Sequence, residues 1–138
     1  MAADPSVVED LSHTDLFSSL SKRALQRVAS QAKVVKHAAG KEITEQGGGA
    51  TGFHLIKSGT ASVSVNGAER PDLGPRQYFG EISLIDGQPR SATVTAKTDM
   101  TTISLVTWAF KPILDEEPEV AKGLLRAMCA RLRAVERG

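Results

Sequence analysis

Two residues, Glu81 and Arg90, combine charge, spacing and neighbours in a way that could do chemistry. Gly80 precedes the carboxylate and Pro89 precedes the guanidinium. Having no Cβ, Gly80 lets the backbone come close to a bulky group. The apolar run Ile82 to Ile85 is long enough for one helical turn before Asp86-Gly87 reverses the chain. The first N–H groups of such a turn lack internal partners and carry partial positive charge, which makes an anion site. Arg90 returns a planar fork that matches two phosphate oxygens at once. Glu81 cannot bind the anion, but it can accept a hydrogen bond from a hydroxyl beside it. An anion next to a hydroxyl is what a ribose phosphate presents. Taken singly, each residue would be an ordinary surface charge; the pair within one frame is what points to a ligand.

The stretch Phe79-Gly80-Glu81-Ile82-Ser83-Leu84, followed by Pro89-Arg90-Ser91-Ala92-Thr93-Val94, resembles the phosphate-binding cassette of the cyclic nucleotide-binding domain family. That module occurs in catabolite-activator-type regulators, in the regulatory subunit of the cyclic-AMP-dependent kinase and in nucleotide-gated channels. The resemblance implies that Glu81 takes the ribose 2′-hydroxyl and Arg90 the cyclic phosphate. Backbone N–H groups near Ile82, Ser83 and Ser91 would complete the phosphate site. The implied ligand-binding set is Phe79, Gly80, Glu81, Ile82, Ser83, Pro89, Arg90, Ser91 and Ala92. The implied ligand is a cyclic purine mononucleotide: cyclic AMP first and cyclic GMP second, since members favouring guanine often carry Thr at the position of Ser91. One departure is visible. The family's turn before the aromatic is usually Gly-Pro-Gly-Asp, whereas here it reads Gly74-Pro75-Arg76-Gln77. Arg76 stands where Gly would allow a positive φ, so this turn is expected to be of another type or mildly strained. Arg76 could also bring a second basic group near the ligand.

Other chemistries lack their parts. Gly47-Gly48-Gly49 is followed by neither Lys-Ser/Thr nor a long helix, so it reads as an inter-strand turn and not a phosphate loop. His13, His37 and His54 form no ligand pair at metal spacing, so no metal is expected. No nucleophile elbow is present, and no enzyme is expected.

The chain has 138 residues and a net charge of +1, which disfavours nucleic-acid binding by bulk electrostatics. Cys129 is the only cysteine, excluding an intrachain disulfide and fitting a reducing cytoplasm. No apolar run approaches membrane-span length, and the N-terminus lacks a signal-peptide pattern. A single domain over 1–138 is expected, with helices over 1–33, a β-roll over 34–107 carrying the cassette at 79–93, and helices over 108–138.

Residues 5–32 carry apolar side chains at three- and four-residue steps, predicting two helices broken near Leu20, the second capped by Ser21. Lys22, Arg23 and Arg27 read as a solvated face. From Val34 the period becomes two. Strands are predicted over Val34–His37, Glu42–Gln46, Phe53–Ile56, Thr60–Val65, Ser91–Ala96 and Met100–Thr107, with an Asn66-Gly67 hairpin. Many short strands at this spacing indicate an α+β chain built on an antiparallel roll or barrel; the family fold is a double-stranded β-helix, or jelly roll, with a C-terminal lid helix. Trp108–Leu114 resembles the short helix after the family's last strand. Pro118 opens a longer helix with acidic residues near its start and Arg131, Arg133 and Arg137 near its end. Val120, Leu124, Met128, Leu132 and Val135 form one stripe, read first as packing and second as a homodimer seam.

The function expected is a sensor domain that binds cyclic AMP and shifts its C-terminal helix to signal to an effector protein. A guanidinium from Arg126, Arg131, Arg133 or Arg137 is expected to cover the base, as relatives use an aromatic or Arg there. Within residues 1–138 no recognition helix follows the long helix, so direct DNA binding is not expected of a chain complete at this length, and the objection falls for a fragment. The rival readings are a ligand-free interaction module of the same fold, or a fragment of a transcription regulator or channel.

Overall fold

Alternating apolar residues dominate the middle of the chain, and they fold as two four-stranded sheets. The computed structural model describes residues 3–48 and 52–137. The strands are β1 (Lys33–His37), β2 (Glu42–Thr44), β3 (Gly52–Ser58), β4 (Ala61–Val65), β5 (Ala68–Leu73), β6 (Tyr78–Phe79), β7 (Thr93–Ala96) and β8 (Met100–Val106). One sheet has the order β1-β8-β3-β6 and the other β2-β7-β4-β5, and the pairings are antiparallel. Ile56, Phe79 and Met100 from the first sheet meet Ala61, Val94 and Ala96 from the second in one buried cluster. Face-to-face packing of two antiparallel sheets makes the expected β-roll.

The chain divides into two compact units, Ala32–Phe110 and the two ends together, Met1–Gln31 with Lys111–Gly138. In the second of these lie α1 (Pro5–Ser12) and α2 (Lys22–Ser30), with α5 (Pro118–Arg137); α4 (Thr107–Glu116) crosses the boundary, and α3 (Glu81–Asp86) belongs to the roll. No described helix is long and apolar enough to cross a membrane.

Several expectations needed correction. Helix α1 stops at Ser12, and turns fill the stretch to Leu20, where Ser18 N–H donates to the Thr14 carbonyl at 2.9 Å. Ser21 caps α2 as expected, accepting from Ala24 N–H. β2 ends at Thr44, two residues earlier than predicted. β5, the return strand of the expected hairpin, was not among the predicted strands; its Pro71 is tolerated because β5 lies at a sheet edge. The Asn66-Gly67 turn joins β4 to β5, both residues having positive φ (52° and 78°), as a type I′ hairpin needs. The expected Gly47–Gly49 turn is described only to Gly48.

Arg23 and Arg27 are not a free solvated face. Arg23 grips Glu117 with two 2.9 Å hydrogen bonds, and Arg27 reaches both Glu117 and Glu116 at 2.9 Å. Glu119 accepts from the backbone N–H and hydroxyl of Ser21. These bonds tie α2 to the start of α5, with Glu117 7% exposed and each bond to it charge-assisted. The apolar stripe on α5 also divides. Val120 and Leu124 are buried, joined by Gly123 and Ala127, whereas Leu132 and Val135 are 60% and 74% exposed. In the second half of the helix Arg131 lies 3.9 Å from Asp15, while Leu132 and Val135 stay exposed among the described residues.

Two predictions follow from this geometry. Arg76 has φ 73° at the third position of the Gly74–Gln77 turn, where Gln77 N–H donates to the Gly74 carbonyl at 3.1 Å. That is a type II turn, with Pro75 well placed and Arg76 strained. Arg76→Gly should raise stability by about 0.5–1 kcal/mol, read as a higher urea midpoint at unchanged slope. Secondly, hydrogen bonds from Arg23 and Arg27 hold the Glu117 carboxyl down to about 2. Its lowered value adds stability that is complete above its ordinary 4.5 and is lost as pH falls through about 2. Urea midpoints taken across that range should drop less steeply for Glu117→Gln than for the unaltered chain.

Candidate functional site

Helix α3 begins at Gly80, whose φ of 83° no side chain adopts comfortably. Space imposes the same choice. A Cβ at Gly80 would overlap both the Arg90 guanidinium and the carbonyl of Gly52. The six-residue helix ends at Gly87, also left-handed, and the Asp86 carboxylate then accepts from Gln88 N–H at 2.9 Å to turn the chain toward Pro89. The first-turn N–H groups of α3 have no acceptor within the helix.

Arg90 is 5% exposed. Its Nη1 donates to the Gly80 carbonyl at 3.3 Å. Its backbone is clamped on both sides by the glycine turn: Arg90 N–H donates to the Gly48 carbonyl and Gly47 N–H donates to the Arg90 carbonyl, each at 2.9 Å. Burial lowers the guanidinium's hold on its proton, and the nearby Glu81 carboxylate opposes that shift. The two charges that the sequence singled out therefore act on one another across the loop.

Both line one hollow of about 140 Å³. Of the residues expected there, Phe79, Gly80, Glu81, Ile82, Ser83, Arg90, Ser91 and Ala92 line it, while Pro89 lies outside the lining and serves the turn. Arg76 is not among the lining residues, so it adds no second basic group. Thr44, Val63, Tyr78 and Val94 complete the wall and were not foreseen. Thr44 is buried and its hydroxyl donates to the Ala92 carbonyl at 3.2 Å. It reaches the wall because β2 pairs with β7, bringing Thr44 opposite Val94. Only that long-range pairing could have identified it. The arrangement offers one buried cation, one carboxylate, helix-start N–H groups and an apolar wall. It suits a small anionic ligand that also carries a hydroxyl.

His13 is exposed just after α1, 3.9 Å from Glu9. His37 and His54 lie in the roll, and the described residues contain no group of three or more side chains able to hold a metal.

Comparison with known proteins agrees with this geometry. Over 114 residues the chain is 32% identical to a cAMP-dependent protein kinase regulatory subunit of Aspergillus niger, covering 81% of this chain and 28% of that protein. A CRP-like cAMP-activated global transcriptional regulator of Mycobacterium tuberculosis is 26% identical over 133 residues, covering 91% of this chain and 58% of that one. The chain thus spans only part of these relatives. The N-terminal domain of a transcriptional regulator from Streptomyces coelicolor A3(2) superposes with a TM-score of 0.77 at 30% identity, covering 93% of both chains. Residues 34–117 match the model of the cyclic nucleotide-binding domain, and this chain belongs to that family.

Proposed function

We propose that this chain acts as a sensor domain for cyclic AMP, with cyclic GMP as the weaker ligand, and that it performs no catalysis. The carrying observation is that Glu81 and the buried Arg90 share one hollow, with the charge of one felt by the other. In this reading Arg90 and the α3 N–H groups take the cyclic phosphate, and Glu81 accepts from the ribose 2′-hydroxyl. Relatives named for cyclic AMP support that choice of ligand. The hollow, at about 140 Å³, is smaller than the roughly 300 Å³ at which small-molecule pockets begin, so it suits the sugar and phosphate better than a whole nucleotide. The base would then need cover from outside the hollow. Ligand binding signals only if it favours one arrangement of the C-terminal helix over another, and the signal passes to an effector protein, in the cytoplasm.

Calorimetric titration with cyclic AMP and cyclic GMP tests the reading. The unaltered chain should bind cyclic AMP saturably and more tightly than cyclic GMP. Arg90→Ala should weaken binding by about 100-fold or more, on the scale of removing one partner of a buried charge pair. No heat with either nucleotide at millimolar concentration would leave only a ligand-free interaction module.

The second half of α5 supports a homodimer. Leu125, Met128, Leu132 and Val135 follow a three-four-three spacing, and Leu125, Leu132 and Val135 are 64%, 60% and 74% exposed. In a parallel pair Arg131 would flank the seam opposite Glu136 of the second copy. Sedimentation should give a dimer that Leu132→Arg converts to monomer; a monomer at all concentrations would remove this part of the proposal.

A further inference from the structure

The nucleotide reading makes no use of His54, yet this residue touches the start of the cassette. On β3 it pairs directly with Phe79 on β6. The two rings stack with centroids 5.0 Å apart at 21°. Phe79 is followed by Gly80, whose carbonyl accepts from Arg90. On its other side His54 meets β8. Its Nδ1 lies 3.1 Å from the hydroxyl of Thr102, which is 0% exposed, and the same hydroxyl lies 2.9 Å from Nε2 of buried His37. Thr102 stands opposite Val35 on one neighbouring strand and Ile56 on the other, so His37 and His54 are its two diagonal neighbours.

A hydroxyl has one proton to give. With both rings neutral, Thr102 gives that proton to one imidazole and accepts from the other, since accepting from both would leave the buried hydroxyl proton with no acceptor among these hydrogen bonds. Because it meets Nε2 of His37 but Nδ1 of His54, both rings must then carry the same tautomer. His37 Nδ1 is buried without a hydrogen-bond partner. A buried N–H left unpaired is rarer than an under-used acceptor, which assigns the Nε2–H form to both. Burial keeps both rings neutral: it lowers His37, and it takes His54 to about 3, with His37, Arg90 and Lys41 adding to the shift.

We propose that His54 is a positioning residue for the cassette. Its ring, oriented by Thr102, sets the place of Phe79 and so of the Gly80 carbonyl on which Arg90 rests. Without the hydroxyl, the His54 nitrogen faces an apolar interior and the ring turns to find another partner. Only the effect on ligand affinity rests on the reading that Arg90 takes the nucleotide phosphate.

The test uses the full chain, ¹⁵N-labelled, with histidine tautomers and the Phe79, Gly80 and Glu81 amide signals read by NMR at neutral pH, alongside cyclic AMP titration. The unaltered chain should show Nε2–H in both His37 and His54. Thr102→Val should abolish that signature at His54, move the three amide signals and weaken cyclic AMP about three- to tenfold. Thr102→Ser, which keeps the hydroxyl, should restore all of these. His54→Phe keeps the stack and has no nitrogen to satisfy, so affinity should stay within about twofold, the span of the weakest single hydrogen bond. Amides and affinity unmoved by Thr102→Val, or affinity lowered as far by His54→Phe, overturn the proposal. If Thr102→Val does not fold, unlike tautomers in the unaltered chain do so. Should the unaltered chain bind no cyclic AMP while Thr102→Val still moves the amides, the ligand reading fails and the positioning role stands.

Discussion

A guanidinium kept almost out of water is the constraint around which the β-roll is arranged. A buried charge is costly unless neighbouring groups answer it. Arg90 is answered by the Gly80 carbonyl and the Glu81 carboxylate, and its backbone is pinned by the Gly47-Gly48 turn. Gly80 is the condition for this: its φ of 83° turns the chain into α3, and its lack of a Cβ leaves room for the guanidinium. A single position thus supplies the turn, the acceptor and the space. A cation held in this way is preorganised for an anion, so little ordering remains to be done when one arrives.

The interior beside that cation is not uniformly apolar. β8 runs between β1 and β3, and it places Thr102 where two imidazoles can share its hydroxyl. A shared buried hydroxyl must keep both its partners in hydrogen-bond reach, so it specifies geometry more sharply than an aliphatic side chain of the same size. This polar thread ends at Phe79, one residue from the turn that carries the site. The packing of the first sheet and the placement of Gly80 beside Arg90 are thereby joined through Phe79.

In the unit formed by the two ends, ion pairs add to an apolar core that includes Leu11, Leu16, Phe17, Val28 and Val120. Glu117 collects Arg23 and Arg27, while Glu119 holds the first residue before α2. The α5 helix that starts there is buried along Val120, Gly123, Leu124 and Ala127 and then continues with its apolar residues exposed.

The cassette was legible in the sequence because its information is local. Gly80, Glu81, Pro89 and Arg90 lie within one short loop, and backbone rules for Gly, Pro and helix starts apply without reference to the rest of the chain. Period-two runs and the Asn66-Gly67 turn revealed the antiparallel class for the same reason. What only the tertiary structure decided was partnership across distance. Thr44 joins the wall because β2 pairs with β7, β5 survives its proline because it is an edge, and Arg23 and Arg27 find Glu117 some 90 residues on. The Thr102 hydroxyl joins His37 to His54 through strand neighbours far apart in sequence. Spacing along the chain sets which way a side chain faces on its own strand or helix, whereas its neighbour on the next strand depends on register, and register is settled by the packing of the whole sheet.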